Sequence, residues 1–184
     1  PWRDLRSHAL RRLRHRRRPE KKAGERGVKL LYAFPEPLPL PRARGIQAVH
    51  SVAALAQTGV EIDFSYVPAG VDPFSHYGIA LPGNVKLVPL SRSLPWPLTR
   101  VHSNRLYAAR LNRRFDLGRI PVMIRHLKLA AWLAAHPMRP QFLYEAHEVF
   151  ADTAPRERSA ERRDEEAQVM RSAAAVVANS AATA

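Results

Sequence analysis

The chain has 184 residues, 46% of them apolar, enough for one packed domain and too many for a wholly disordered polymer. It contains no cysteine, which excludes disulfide frameworks, cysteine–zinc sites and thiol nucleophiles together. The net charge of +14 is uneven: residues 1–27 carry eleven Lys/Arg against Asp4, Glu20 and Glu25, a net of +8, and the rest of the chain carries +6.

That basic opening is densest at Arg11, Arg12, Arg14, Arg16, Arg17 and Arg18. It reads as a solvated leader whose like charges repel, or as a contact for an anionic membrane surface through residues 1–26. Nucleic acid ranks last as a partner, because Trp2 stands alone and no aromatic residues interleave with the arginines to stack on bases. No apolar run reaches the roughly 18 residues of a spanning helix, and no apolar stretch follows the basic one as in a signal peptide. The expected setting is cytoplasmic, extending at most to the inner face of the membrane.

From Val28 the chain changes character. Residues 28–34 are apolar except Lys29, as in a parallel strand buried on both faces. Pro35, Pro37, Pro39 and Pro41 then predict a stiff extended loop. A helix is predicted over 44–58, with Ile46, Val49, Val52, Ala53 and Ala56 on one stripe and Gly59 closing it. Residues 60–67 alternate as the next strand, completing a βαβ unit. After a loop over 68–84 come a short edge strand (85–89, ended by Pro89), an arginine-rich helix (98–115) and a strand (120–125). A buried helix (127–136), a strand (141–146), a helix (157–172) with an Arg162–Glu166 pair, and a last strand (174–178) complete the series. Alternation of this kind predicts an α/β fold, a Rossmann-like doubly wound parallel sheet flanked by helices.

Ligands of such sheets sit beyond the carboxyl ends of the strands, which singles out three loops. The first ends in Pro41-Arg42-Ala43-Arg44-Gly45 at a helix start, where free N–H groups and two arginines suit an anion. It reads equally as a proline-stiffened loop with surface arginines, and the G-x-G-x-x-G dinucleotide fingerprint is missing. Glu36 lies in the same loop, placed for a base but with no visible partner. The second loop carries Glu145-Ala146-His147-Glu148, a histidine between carboxylates, suited to acid–base work or to a simple hydrogen bond at a strand end. The third is Arg125-His126, an anion contact or a cap on the sheet edge. No metal spacing is present, and no metal or cofactor is expected.

The segments Lys29-Leu-Leu-Tyr32, Arg44-Gly-Ile-Gln-Ala-Val-His50 with Gly59-Val-Glu-Ile62, Tyr144-Glu-Ala-His-Glu148 and Ala174-Ala-Val-Val-Ala-Asn-Ser180 resemble, in order and spacing, the N-terminal domain of family 4 glycosyltransferases. The resemblance implies one half of a GT-B architecture over residues 28–184, with the C-terminal donor domain absent and the chain inefficient alone. It implies a nucleotide-sugar and an acceptor as substrates. His147 and Glu148 would then be catalytic, Arg44 and Gly45 would bind donor phosphates, and Glu36, Arg42, Arg125 and His126 would face the acceptor. The alternative expectation is a non-catalytic Rossmann-like module with a basic membrane-surface tail. A nicotinamide or flavin protein is disfavoured by the missing glycine fingerprint.

Overall fold

Strand β1 (Lys29–Leu38) is the spine around which the other elements assemble. Its side chains alternate: Leu30, Tyr32, Phe34 and Leu38 enter one buried cluster, while Leu31 and Ala33 enter another on the opposite face. The computed structural model describes residues 27–98, 100–147 and 155–178. The expected basic leader, residues 1–27, lies outside them except for Gly27, as do Glu148, Asn179 and Ser180.

The remaining elements are α1 (Ala43–Gln57), β2 (Glu61–Pro68), α2 (Pro73–His76), β3 (Val85–Pro89), α3 (Asn104–Arg114), β4 (Val122–Ile124), α4 (Leu127–Ala134), β5 (Phe142–Ala146), α5 (Arg156–Ser172) and β6 (Ala175–Ala178). All strand pairs are parallel, in the order β3-β2-β1-β4-β5-β6. The chain builds outward from β1 through β2 to β3, returns to the other side of β1, and builds outward again. The order therefore reverses between β1 and β4. Helix α1 covers the face carrying Tyr32, Phe64 and Ile62, and α3, α4 and α5 cover the face carrying Leu31, Ile124 and Tyr144. No helix among the described residues is long and apolar enough to cross a membrane.

Several expectations shift for identifiable reasons. The prolines do not end β1 at Phe34: Pro37 and Leu38 pair with Val67 and Pro68 beyond a register irregularity. A proline has no N–H for the ladder, and such an irregularity is where a strand accommodates it. Gly59 does close α1, with a positive φ of 91° just past the cap residue Thr58. Ile46, however, is exposed, and the buried stripe runs through Gly45, Ala48, Val49, Val52, Ala53 and Ala56. The buried stripe is thus turned by about one residue toward Gly45 and Ala48, where Gly45 packs against Tyr77 and Leu40. Helix α3 begins only at Asn104, where the Ser103 hydroxyl accepts the Leu106 N–H. On α5, Arg162 donates to Glu165 at i,i+3.

Candidate functional site at the carboxyl edge

Tyr32 is fully buried in the middle of β1, with Met123 of β4 as its register partner. Met123 in turn faces Leu143 of β5, and Glu145 lies two residues further along the same face. The phenol thus reaches across β4 and donates to Glu145 Oε2 at 2.6 Å, a buried bond between residues far apart in sequence. Burial, reinforced by the Glu145 carboxylate, pushes the Tyr32 hydroxyl well above the usual tyrosine range, so it remains a proton donor.

Arg125 follows β4 directly and is only 3% exposed. Its Nη1 donates to the Arg44 carbonyl at 3.1 Å and its Nη2 to Gln47 Oε1 at 3.0 Å, tying the end of β4 to the first turns of α1. Both acceptors are neutral. The buried Nε–H has no hydrogen-bond partner, and among the described residues no carboxylate forms an ion pair with this guanidinium, although Arg125 and Glu145 both act on the Tyr32 hydroxyl. A buried cation in this state is costly, because a carboxylate or other anion ordinarily offsets its desolvation. The neighbouring Arg44 is paired, its Nε lying 2.8 Å from Glu36 Oε2. Arg42 is exposed and occupies the N-cap position of α1 without a side-chain cap bond.

Gly45 serves packing within the protein. A Cβ there would lie 2.7 Å from the Tyr77 hydroxyl and 3.0 Å from the Leu40 carbonyl oxygen. Tyr77 cannot yield easily, because its hydroxyl accepts from the Leu40 N–H at 2.8 Å and donates to the Leu40 carbonyl at 2.7 Å. Gly45→Ala should therefore destabilise the fold by about 1–2 kcal/mol in urea denaturation, the overpacking outweighing the better helix propensity of alanine.

His126 caps α4, its Nδ1 accepting the Leu129 N–H at 3.3 Å. Its Nε2 lies 3.2 Å from the Asn104 side-chain amide. Burial is the main cause of a pKa lowered from 6.5 to about 4, and Lys128, Arg44 and Arg92 push in the same direction. Between these two values the unfolded chain binds more protons than the folded one. Stability should thus rise with pH through that window and fall as pH drops from about 6.5 toward 4, by about 3 kcal/mol at full extent. Denaturant titrations at pH 5 and 7 measure this slope. His126→Asn keeps an N-cap acceptor and should flatten it.

The structure therefore brings Glu36, Arg44, Gly45 and Arg125 together, with Arg42 at the rim and His126 turned toward α3 and α4. His147 is half-buried immediately after β5. Glu145, noted in sequence only as a neighbour of His147, is held by Tyr32. Tyr32 and Gln47 were missed. One signal was available for Tyr32: a hydroxyl inside an otherwise apolar buried strand needs a partner. Among the described residues no group of three or more His, Asp or Glu could hold a metal ion.

Sheet order, parallel pairing and helices on both faces define a Rossmann-like doubly wound α/β protein, the fold class expected from sequence. No family model and no curated protein matches the chain. Among solved structures it is similar to phenylacrylic acid decarboxylase from Aquifex aeolicus, at 11% identity and a TM-score of 0.44, over 84% of this chain and 82% of that one. The expected place in the family 4 glycosyltransferases finds no support in any of these comparisons and is withdrawn. The sugar-transfer function and the alternative of a non-catalytic module are withdrawn with it.

Proposed function

We propose that the carboxyl edge between β1 and β4 takes a small molecule bearing an oxyanion, phosphate or carboxylate, and that the Tyr32–Glu145 pair handles a proton beside it. The observation that carries this reading is Arg125: buried, held by two neutral acceptors, with an unused Nε–H and, among the described residues, no carboxylate in ion-pair contact. Its position supports the same reading, because ligands of open parallel sheets sit where the strand order reverses. Local charge does so too. Arg44, Arg92 and Lys128 all act on His126, while Glu36 is engaged by Arg44. An arriving oxyanion would pair with Arg125 and compete with Glu36 for Arg44. Glu145, an acceptor of the Tyr32 proton at 2.6 Å, supplies a carboxylate for base chemistry next to that anchor.

Calorimetric titration with pyrophosphate, a nucleoside diphosphate and an aromatic carboxylate tests this. At least one should bind saturably to the full chain, weakening as salt rises. No binding by any of the three, to a protein that retains its fold, contradicts the reading.

A further inference from the structure

Between Asp72 and Asp116 the chain carries no Asp or Glu, while Lys86, Arg92, Arg100, Arg105, Arg110, Arg113 and Arg114 all fall there. Within this stretch the segment joining β3 to α3 folds back on itself. Ser93 and His102 form an antiparallel bridge, the Leu94 N–H donates to the Val101 carbonyl at 3.0 Å, and the Ser103 N–H donates to the Arg92 carbonyl at 2.9 Å. The Arg110 guanidinium on α3 secures the base by donating to the Ser91 and Ser93 carbonyls. The tip is thereby held away from the core. Trp96 is 85% exposed there, the largest exposure among the big apolar residues described, and Leu98 and Val101 beside it are also more than half exposed.

We infer that this excursion is an interfacial anchor that inserts Trp96 and Leu98 into the headgroup region of an anionic lipid bilayer. Three exposed apolar side chains gathered at one tip make a patch, and tryptophan favours the membrane–water boundary, where its ring is apolar and its N–H stays wet. Arg92, Arg100 and Arg105 flank the tip with no carboxylate nearby in sequence, and each basic residue near an anionic leaflet adds attraction. The observations favour lipid over a single-stranded nucleic acid, because the tip pairs one indole with the aliphatic Leu98 and Val101, and the other ring on the described excursion, His102, sits at its base. The inference is independent of the oxyanion site and shares with it only the charge of Arg92.

The test uses the full chain with phosphatidylcholine vesicles, either pure or containing about 30% phosphatidylserine. Trp2→Phe/Trp132→Phe leaves Trp96 as the only emitter of the three tryptophans. Anionic vesicles should shift its emission to the blue, while neutral vesicles should do so far less. Trp96→Ala/Leu98→Ser, with residues 1–26 intact and an unchanged circular dichroism spectrum, should weaken partitioning by about tenfold or more. Absence of vesicle binding, an unshifted Trp96 emission, or equal binding by the loop variant would overturn the inference. In the last case the contact belongs to the basic leader. The inference also falls if the loop substitutions weaken an oligonucleotide complex and leave vesicle binding unchanged.

Discussion

Arg125→Met is expected to lower oxyanion affinity by about a hundredfold or more while changing folding stability by no more than about 2 kcal/mol. The two halves of this prediction rest on different terms. Losing the guanidinium removes donors from the Arg44 carbonyl and from Gln47 Oε1. Gln47 is exposed and can turn to water, so the cost falls mainly on one carbonyl, at about 1–2 kcal/mol. Against this, a buried cation in ion-pair contact with no carboxylate among the described residues is gone, and replacing such a group with an apolar side chain of similar length is often neutral or stabilising. A purely structural arginine would behave differently, its removal costing about 3–5 kcal/mol as for a broken buried ion pair. Low cost in stability with large loss in binding is the pattern of a residue kept for its ligand. Chemical denaturation and calorimetry on the same variant separate the two.

Glu145→Ala should give the largest stability loss among single substitutions at the site, about 2–4 kcal/mol. It deprives the fully buried Tyr32 hydroxyl of its 2.6 Å acceptor and leaves it only the Ser51 side chain as a partner. Tyr32→Phe strands the other partner, leaving a carboxylate that is only 8% exposed without its donor. Each single change therefore pays for the group left behind as well as the bond lost. The double variant Tyr32→Phe/Glu145→Ala removes both, so its destabilisation should fall short of the sum by roughly 1–3 kcal/mol. Strict additivity would mean that the bond does not couple the two strands across β4.

Much of the fold was legible because local pattern and tertiary burial agree. The apolar run of β1, the Gly59 cap of α1 and the edge position of Pro89 each need only a few adjacent residues to be recognised. Ile46 shows the limit. The 3.6-residue stripe was sound, but its phase depends on tertiary neighbours, and Gly45 and Ala48 are buried where Ile46 is not. The prolines after Phe34 mislead for a related reason: a neighbouring strand can accept a register irregularity that the sequence does not reveal.

The site was legible in part. Arg44, Gly45 and Arg125 stood out through their place after predicted strands, a topological rule and not a chemical one. The function of Gly45 could not be read, because Tyr77 comes from another loop. Arginine is so commonly exposed that nothing in the sequence marks Arg125 as buried, and Tyr32 meets Glu145 only once β1, β4 and β5 lie in register. The glycosyltransferase resemblance rested on loose segments whose order many doubly wound sheets share.

The most direct test of the oxyanion anchor is the side-chain Nε–H resonance of Arg125 in a ¹⁵N–¹H correlation spectrum. Comparison with Arg125→Lys assigns the peak, which should be slow to exchange because the group is buried. Addition of a bound phosphate- or carboxylate-bearing ligand should move it saturably downfield as the unused donor gains an acceptor. A peak that stays in place while a ligand binds elsewhere, or that no oxyanion displaces, contradicts the account.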